Sequence, residues 1–178
     1  ARPVPPAPFR LRVPTVLPRK PPAAAGSSTP SPASASAPPA VTAAVKAVSS
    51  LVGRREVVLD GVDYGSDCAA LARAAFARAG HPLPPQARDA AGLHALARAR
   101  GALLPTRSPV PGDLVFLADQ PGGPPVHVGV VSRAEPDGTA VVLHRVARGV
   151  LPVRLNLAYP SRSDDPATGR HINDALRV

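Results

Sequence analysis

Cys68, His127 and His144 are the residues of this chain whose side chains and placement suit nucleophilic catalysis. Cys68 is the single cysteine, so no intramolecular disulfide can form, and a lone thiol in an exported protein is a flag for reactivity. The bland counterpart is a buried, inert small hydrophobe. Cys68 follows Ser66 and Asp67, either of which suits a helix N-cap, and Leu71, Ala75 and Phe76 mark a helical face after it. At a helix N-terminus, free amides and the macrodipole stabilise a thiolate, so a thiol pKa of about 8.5 is expected to fall, to roughly 3.5–7.5 in favourable settings. The base is expected from His127, which opens the alternating run His127-Val128-Gly129-Val130-Val131 and shares a face with Gly129 and Val131. A strand-end imidazole facing a helix N-terminus brings Cys and His together from distant sequence.

His144 falls on the strand after that one, and its face depends on the turn. If Pro136-Asp137-Gly138 closes a direct hairpin, a four-residue loop sets His144 opposite Gly129 and a two-residue loop sets it opposite Val131. Both even loops keep His144 on the face of His127, whereas a three-residue loop turns it away. The expectation is an even loop, with the two imidazoles in contact and Gly129 leaving the room. A zinc site built from Cys68, His127 and His144 is the alternative for the same residues, against which stands the lack of any closely spaced ligand pair. His81, His94 and His171 are expected at the surface, and Asp113 is expected to organise its turn.

The elements that must position these side chains can be read from the pattern. Val41 to Leu51 is Ala/Val-rich without Pro and reads as a first helix. Glu56 to Leu59 reads as a short strand, the Cys68 helix ends at Gly80 before Pro82, and a second helix is expected from Pro85 to Gly101. The period then changes from helical to strand-like. Pro111-Gly112 turns into Asp113 to Leu117, His127 to Ser132 is the next strand, Thr139 to Val146 returns after the turn, and Val150 to Leu157 adds another. Helices first and a meander afterwards predict an α+β domain.

Residues 1–40 have a different character, with twelve prolines interleaved with Ala and Ser. Such a segment cannot bury enough apolar surface to offset ordering, so a disordered, partly polyproline-II leader or tether over 1–40 and a folded domain over 41–178 are expected. Phe9, Leu11, Val13 and Val16 could nonetheless lie against the domain as an arm. The chain contains no Met, so Ala1 reads as a processed terminus, a cleaved signal peptide is expected, and the protein is expected to be exported. The formal net charge of +9 is unevenly spread. Residues 1–55 hold eight basic residues and no acid, and 56–178 hold 13 basic and 12 acidic. A basic leader suits an anionic cell-envelope surface. Nucleic acid is disfavoured, because two Tyr, three Phe and no Trp leave few stacking platforms and no reading motif is present.

Asp67-Cys68-Ala69-Ala70-Leu71, Pro111-Gly112-Asp113-Leu114-Val115-Phe116, His127-Val128-Gly129-Val130-Val131 and Leu143-His144 resemble four elements of NlpC-type peptidases. Those elements are Asp-Cys-Ser-Gly-Leu, Pro-Gly-Asp-Leu-Val-Phe, His-Val-Gly-Ile and Ile-His. These papain-like bacterial enzymes cleave the stem peptide of peptidoglycan, commonly between γ-D-glutamate and the diamino acid. The resemblance covers about Val41 to Leu157, and four elements in the right order are fairly specific. It implies a papain-like α+β domain whose nucleophile-bearing helix packs on an antiparallel meander. It also implies Cys68 as nucleophile, His127 as base, His144 as the third polar residue orienting the imidazole, and the backbone N–H of Cys68 in the oxyanion hole. No cofactor or metal, a peptidoglycan or muropeptide substrate and a monomer go with it. Asp67 would serve as a cap rather than a catalyst.

The chain departs from the family pattern at two places. Ala69-Ala70 stand where Ser-Gly is usual, and the aromatic-Gly-Gly segment upstream of Asp-Cys is absent, so the family's upstream tyrosine has no clear match and Tyr64 is only a neighbour in sequence. Two other readings therefore stay open: a related CHAP-type amidohydrolase, and a catalytically inactive wall-binding or structural domain.

Overall fold

In a computed structural model, the structure describes residues 13–14, 37–104, 108–120 and 122–174. Most of the expected leader lies outside these residues. Its described parts are β1 (Val13–Pro14) and the start of α1 (Pro39–Ser49), which opens just before the expected boundary at 40/41. Pro39 suits the first helical turn, where its missing N–H costs nothing, and α1 buries Val41, Ala44, Val45 and Val48.

β2 (Val58–Leu59) and β3 (Val62–Asp63) form a small hairpin, narrower than the strand expected from Glu56. Next come α2 (Ala70–Arg78) and α3 (Ala90–Ala99). The second helix expected from Pro85 starts later, because Asp89 is its N-cap and takes the Gly92 N–H at 2.7 Å. Pro85 sits in the turn before it. β4 (Leu103–Leu104) follows and pairs in parallel with β1, so Val13 and Pro14 of the leader lie along the domain.

The main sheet is a meander in the order β5-β6-β7-β8, antiparallel throughout, with β5 (Leu114–Leu117), β6 (His127–Ala134), β7 (Thr139–Val146) and β8 (Gly149–Asn156). The protein is therefore α+β, as the pattern predicts. One sheet face, with Leu114, Phe116, Val128, Val130 and Leu143, packs with Leu71, Ala74 and Phe76 of α2, Val48 of α1 and Leu93 of α3. The other carries a second cluster of Val115, Val131, Ala140, Val142, Leu155 and Leu157. Leu71, Leu93 and Leu114 are fully buried, each contributing on the order of 2 kcal/mol. Pro152 is tolerated because β8 is an edge strand. That edge is covered by Gly53, whose N–H donates to the Val150 carbonyl, and by the C-terminal segment, where Asp174 and Asn173 take the N–H groups of Arg154 and Asn156.

The β6–β7 hairpin corrects the expected even loop. Ala134 pairs with Ala140, and the Glu135 N–H donates to the Thr139 carbonyl at 2.7 Å, leaving the three-residue loop Pro136-Asp137-Gly138. Gly138, at φ +81°, supplies the left-handed residue such a loop needs. This register alone would turn His144 away from His127. The pairing then shifts between Val131 and Arg133, where Ser132 is an extra residue whose hydroxyl donates to the Val141 carbonyl at 3.0 Å. A β-bulge adds one residue to one strand and so reverses the parity. Beyond it Gly129 lies opposite His144, the pairing an uninterrupted four-residue loop would have produced.

Candidate active site

Cys68 lies in the turn that leads into α2, half-buried, two residues before the first helical position. Asp67 closes that turn rather than capping the helix: its Oδ1 takes the Ala69 N–H at 2.8 Å and its carbonyl takes the Ala70 N–H. The N-cap of α2 is Ala69, with no side-chain cap, because the helix opens later than expected. Ser66 is exposed and forms no such contact. Ala69 and Ala70, at the places of the family's Ser-Gly, are both fully buried against the helical core. The replacement thus leaves no hydroxyl immediately after the nucleophile.

His127 and His144 meet inside the protein. His127 Nε2 and His144 Nδ1 are 2.8 Å apart, with the rings nearly perpendicular and their centroids 5.0 Å apart. The residues are only 2% and 3% exposed. The separation is that of a hydrogen bond and is shorter than the about 3.3 Å between two nitrogens on a tetrahedral zinc. Gly129 makes the meeting possible. A Cβ there would come 2.4 Å from Val142 Cγ1, 2.9 Å from the Leu143 carbonyl and 3.4 Å from His144 Cβ.

The electrostatics of the two imidazoles follow from burial. His127 is pushed down to about 4, first by loss of solvent and then by the neighbouring His144, and burial lowers His144 as well. Both rings are neutral near pH 7. A hydrogen bond between two neutral imidazoles needs one N–H and one lone pair, so each tautomer sets the other.

The thiol departs from expectation. Burial pushes Cys68 up; the Ala90 N–H at the start of α3 pulls it down, the Asp67 carboxylate pushes it up, and the N–H groups of Val128 and of Cys68 itself pull it down. Burial outweighs the amides, so the resting group is a thiol rather than the expected thiolate. The sulfur is placed between α2, the N-terminus of α3 and the start of β6. Pairing of β6 with β7 begins only at Gly129, one residue beyond Val128. The sulfur makes no hydrogen bond to His127. The site thus brings the two histidines into direct contact and sets Cys68 beside the residue that follows His127.

The other residues singled out in the sequence fall elsewhere or play supporting parts. Asp113 is buried, and its Oδ2 takes the Val110 N–H at 2.9 Å, holding the turn before β5. Tyr64 is half-buried and packs against the same helical core as Cys68. His94, expected at the surface, packs edge-on against Phe116 with centroids 5.3 Å apart, and His81 is half-buried. His171 is exposed, between Asp164 and Asp174. Ala90 and Val128 act through backbone N–H groups, so no side-chain signal in the sequence could have marked them.

Among the described residues, no group of three or more His, Cys, Asp or Glu is arranged to hold a metal ion, and no helix is long and apolar enough to cross a membrane. Compared with known proteins, residues 53–159 match the model of the NlpC/P60 family. No curated protein and no solved structure matches the chain.

Proposed function

The chain belongs to the NlpC/P60 family, a family of cell-wall peptidases, and from that premise we propose that it hydrolyses amide bonds of the peptidoglycan stem peptide, as an exported enzyme, through Cys68, His127 and His144. The observation that carries this reading is the buried His127–His144 contact at 2.8 Å, at the head of the strand whose second N–H acts on the Cys68 sulfur. A pair of neutral imidazoles is costly to bury unless its hydrogen bonds are used, and catalysis is a use for it.

The tautomers follow from the roles. With Nε2 of His127 engaged by His144, Nδ1 is the nitrogen left to take the thiol proton, so Nε2 carries the ring hydrogen and donates to His144 Nδ1. His127 accepts the proton as the sulfur attacks the scissile carbonyl carbon. The tetrahedral oxyanion is met by the Cys68 N–H. Collapse breaks the C–N bond, His127 returns the proton to the departing amine, and a thioester remains. Water, deprotonated by His127, then attacks the thioester, releasing the acid and restoring the thiol. His144 holds the ring and shares the hydrogen of the imidazolium, the part an acid plays elsewhere, without adding negative charge. The γ-D-glutamyl–diamino acid bond is the target that the family resemblance suggests.

The test is digestion of purified peptidoglycan and muropeptides with mass spectrometry of the products, comparing the wild-type protein with Cys68→Ala. Paired new amine and carboxyl termini from the wild type alone are expected. Equal products from Cys68→Ala would overturn the mechanism. A second reading has an observation of its own: the thiol is protonated and unbonded to His127, as suits an inactive wall-binding domain. That reading predicts sedimentation with intact sacculi and no new termini from the wild type.

A further inference from the structure

Arg73 lies in α2, five residues after Cys68, and its guanidinium binds three places at once. Nη1 and Nη2 grip Asp67 Oδ1 and Oδ2 at 3.0 and 2.6 Å; Nη1 also donates to the Arg88 carbonyl at 2.7 Å, and Nη2 to the Tyr64 carbonyl. Each contact falls on a segment that adjoins the sulfur. Tyr64 and Asp67 belong to the loop that delivers Cys68. Arg88 immediately precedes Asp89 and Ala90, the N-cap and first residue of α3.

We propose that Arg73 is the positioning residue of the nucleophile, tying the Tyr64–Asp67 loop, α2 and the N-terminus of α3 into one frame around Cys68 and neutralising the Asp67 carboxylate beside it. The inference rests on the peptidase reading for its catalytic consequence, and its electrostatic part stands without it. A planar fork with several fixed donors can serve a carboxylate and two carbonyls together, which a lysine ammonium on a flexible stem cannot do in the same geometry. The Asp67 charge raises the Cys68 pKa, so an unpaired Asp67 would raise it further. The other charged or titratable groups on elements around the sulfur are Arg78 on α2, paired with Asp60, Arg88 and Asp89 next to α3, the latter turned to the Gly92 N–H, and His94 and Arg98 on α3. On β6 they are Arg133, paired with Glu135, and His127, which is neutral at pH 7.

Cys68 is the single cysteine, so its alkylation by iodoacetamide reports the thiol directly, whatever the wall substrate. The measurements are the pH profile of alkylation, and kcat and KM on muropeptides, for wild type, Arg73→Lys, Arg73→Gln and Arg73→Gln/Asp67→Asn. Arg73→Gln is expected to move the alkylation profile to higher pH and slow the reaction about tenfold at fixed pH, the effect of one unit. The added Asp67→Asn change returns that profile to wild type or below it. Arg73→Lys keeps the charge, so it keeps the profile while losing the frame, and kcat falls about tenfold with KM little changed. Arg73→Lys also covers the case in which Arg73→Gln fails to fold. Wild-type alkylation profiles in Arg73→Gln, or a wild-type kcat in Arg73→Lys, overturn the proposal. A wild-type protein inactive on every muropeptide defeats the peptidase reading, and the alkylation series then decides the electrostatic part alone.

Discussion

Two histidine clusters in this protein have opposite characters. His127 and His144 are buried, face each other and have no carboxylate between them, and both are pushed down. His171 is exposed on the C-terminal segment between Asp174, 3.0 Å from its Nε2, and Asp164, 3.3 Å from its Nδ1, and the hydrogen bonds to Asp174 and Asp164 push it up. By inventory the second cluster is richer in acid–base groups. It nonetheless lies in water, where its imidazolium is solvated and its ion pairs contribute little. The first lies where loss of solvent decides protonation, which keeps a free base at neutral pH. Burial, more than the number of titratable neighbours, separates a candidate catalytic histidine from a surface one.

The largest expected effect breaks the comparison in activity. His127→Ala should lower kcat on muropeptides by about 10²–10⁴-fold, the usual contribution of a general base. His171→Ala should leave kcat and KM at wild-type values. A loss confined to His171→Ala would mean that the clusters had been assigned the wrong way round, and equal losses would mean that burial does not separate them.

The next effect is on stability and has opposite signs in the two clusters. The folded His127 titrates near 4 rather than 6.5, so between those values the unfolded chain binds more protons and stability is lost as pH falls from 6.5 towards 4. The size for this one group is on the order of 3 kcal/mol. For His171 the folded value is raised, so its contribution is present below the unfolded value and disappears as pH rises through the folded one. Denaturant unfolding from pH 4 to 8 checks both. His127→Gln should flatten the acid slope and His171→Ala should not. A slope unchanged in His127→Gln would contradict the buried neutral assignment.

A smaller effect sharpens the packing side. Gly129→Ala places a Cβ against Val142 and the Leu143 carbonyl, and is expected to cost about 2 kcal/mol as overpacking. Because the strain sits opposite His144, the hydrogen bond to His127 should loosen, visible in the imidazole resonances in NMR. Unchanged resonances and unchanged stability would show that the sheet absorbs the methyl freely.

The alternation in His127 to Val131 and Thr139 to Val146 was legible because period-two patterning survives in any register. The same holds for the apolar face of the Cys68 helix and for the order of helices before strands. The fold class therefore came from the chain alone, as did the choice of Cys68, His127 and His144 as candidates. The facing of His144 did not. It depends on a three-residue loop at Gly138 and a bulge at Ser132 that cancel in parity, and nothing in the residue types around Ser132 announces an extra position. The protonation of Cys68 was likewise undecidable from its place before a helix. The α2 start argues for a thiolate, but burial between α2, α3 and β6, set by residues far apart in sequence, outweighs the amides and leaves a thiol. Local pattern determines which side chains can be presented, because it acts through backbone geometry within a few residues. Dielectric environment and strand parity are sums over the whole folded surroundings, and only the tertiary structure carries them.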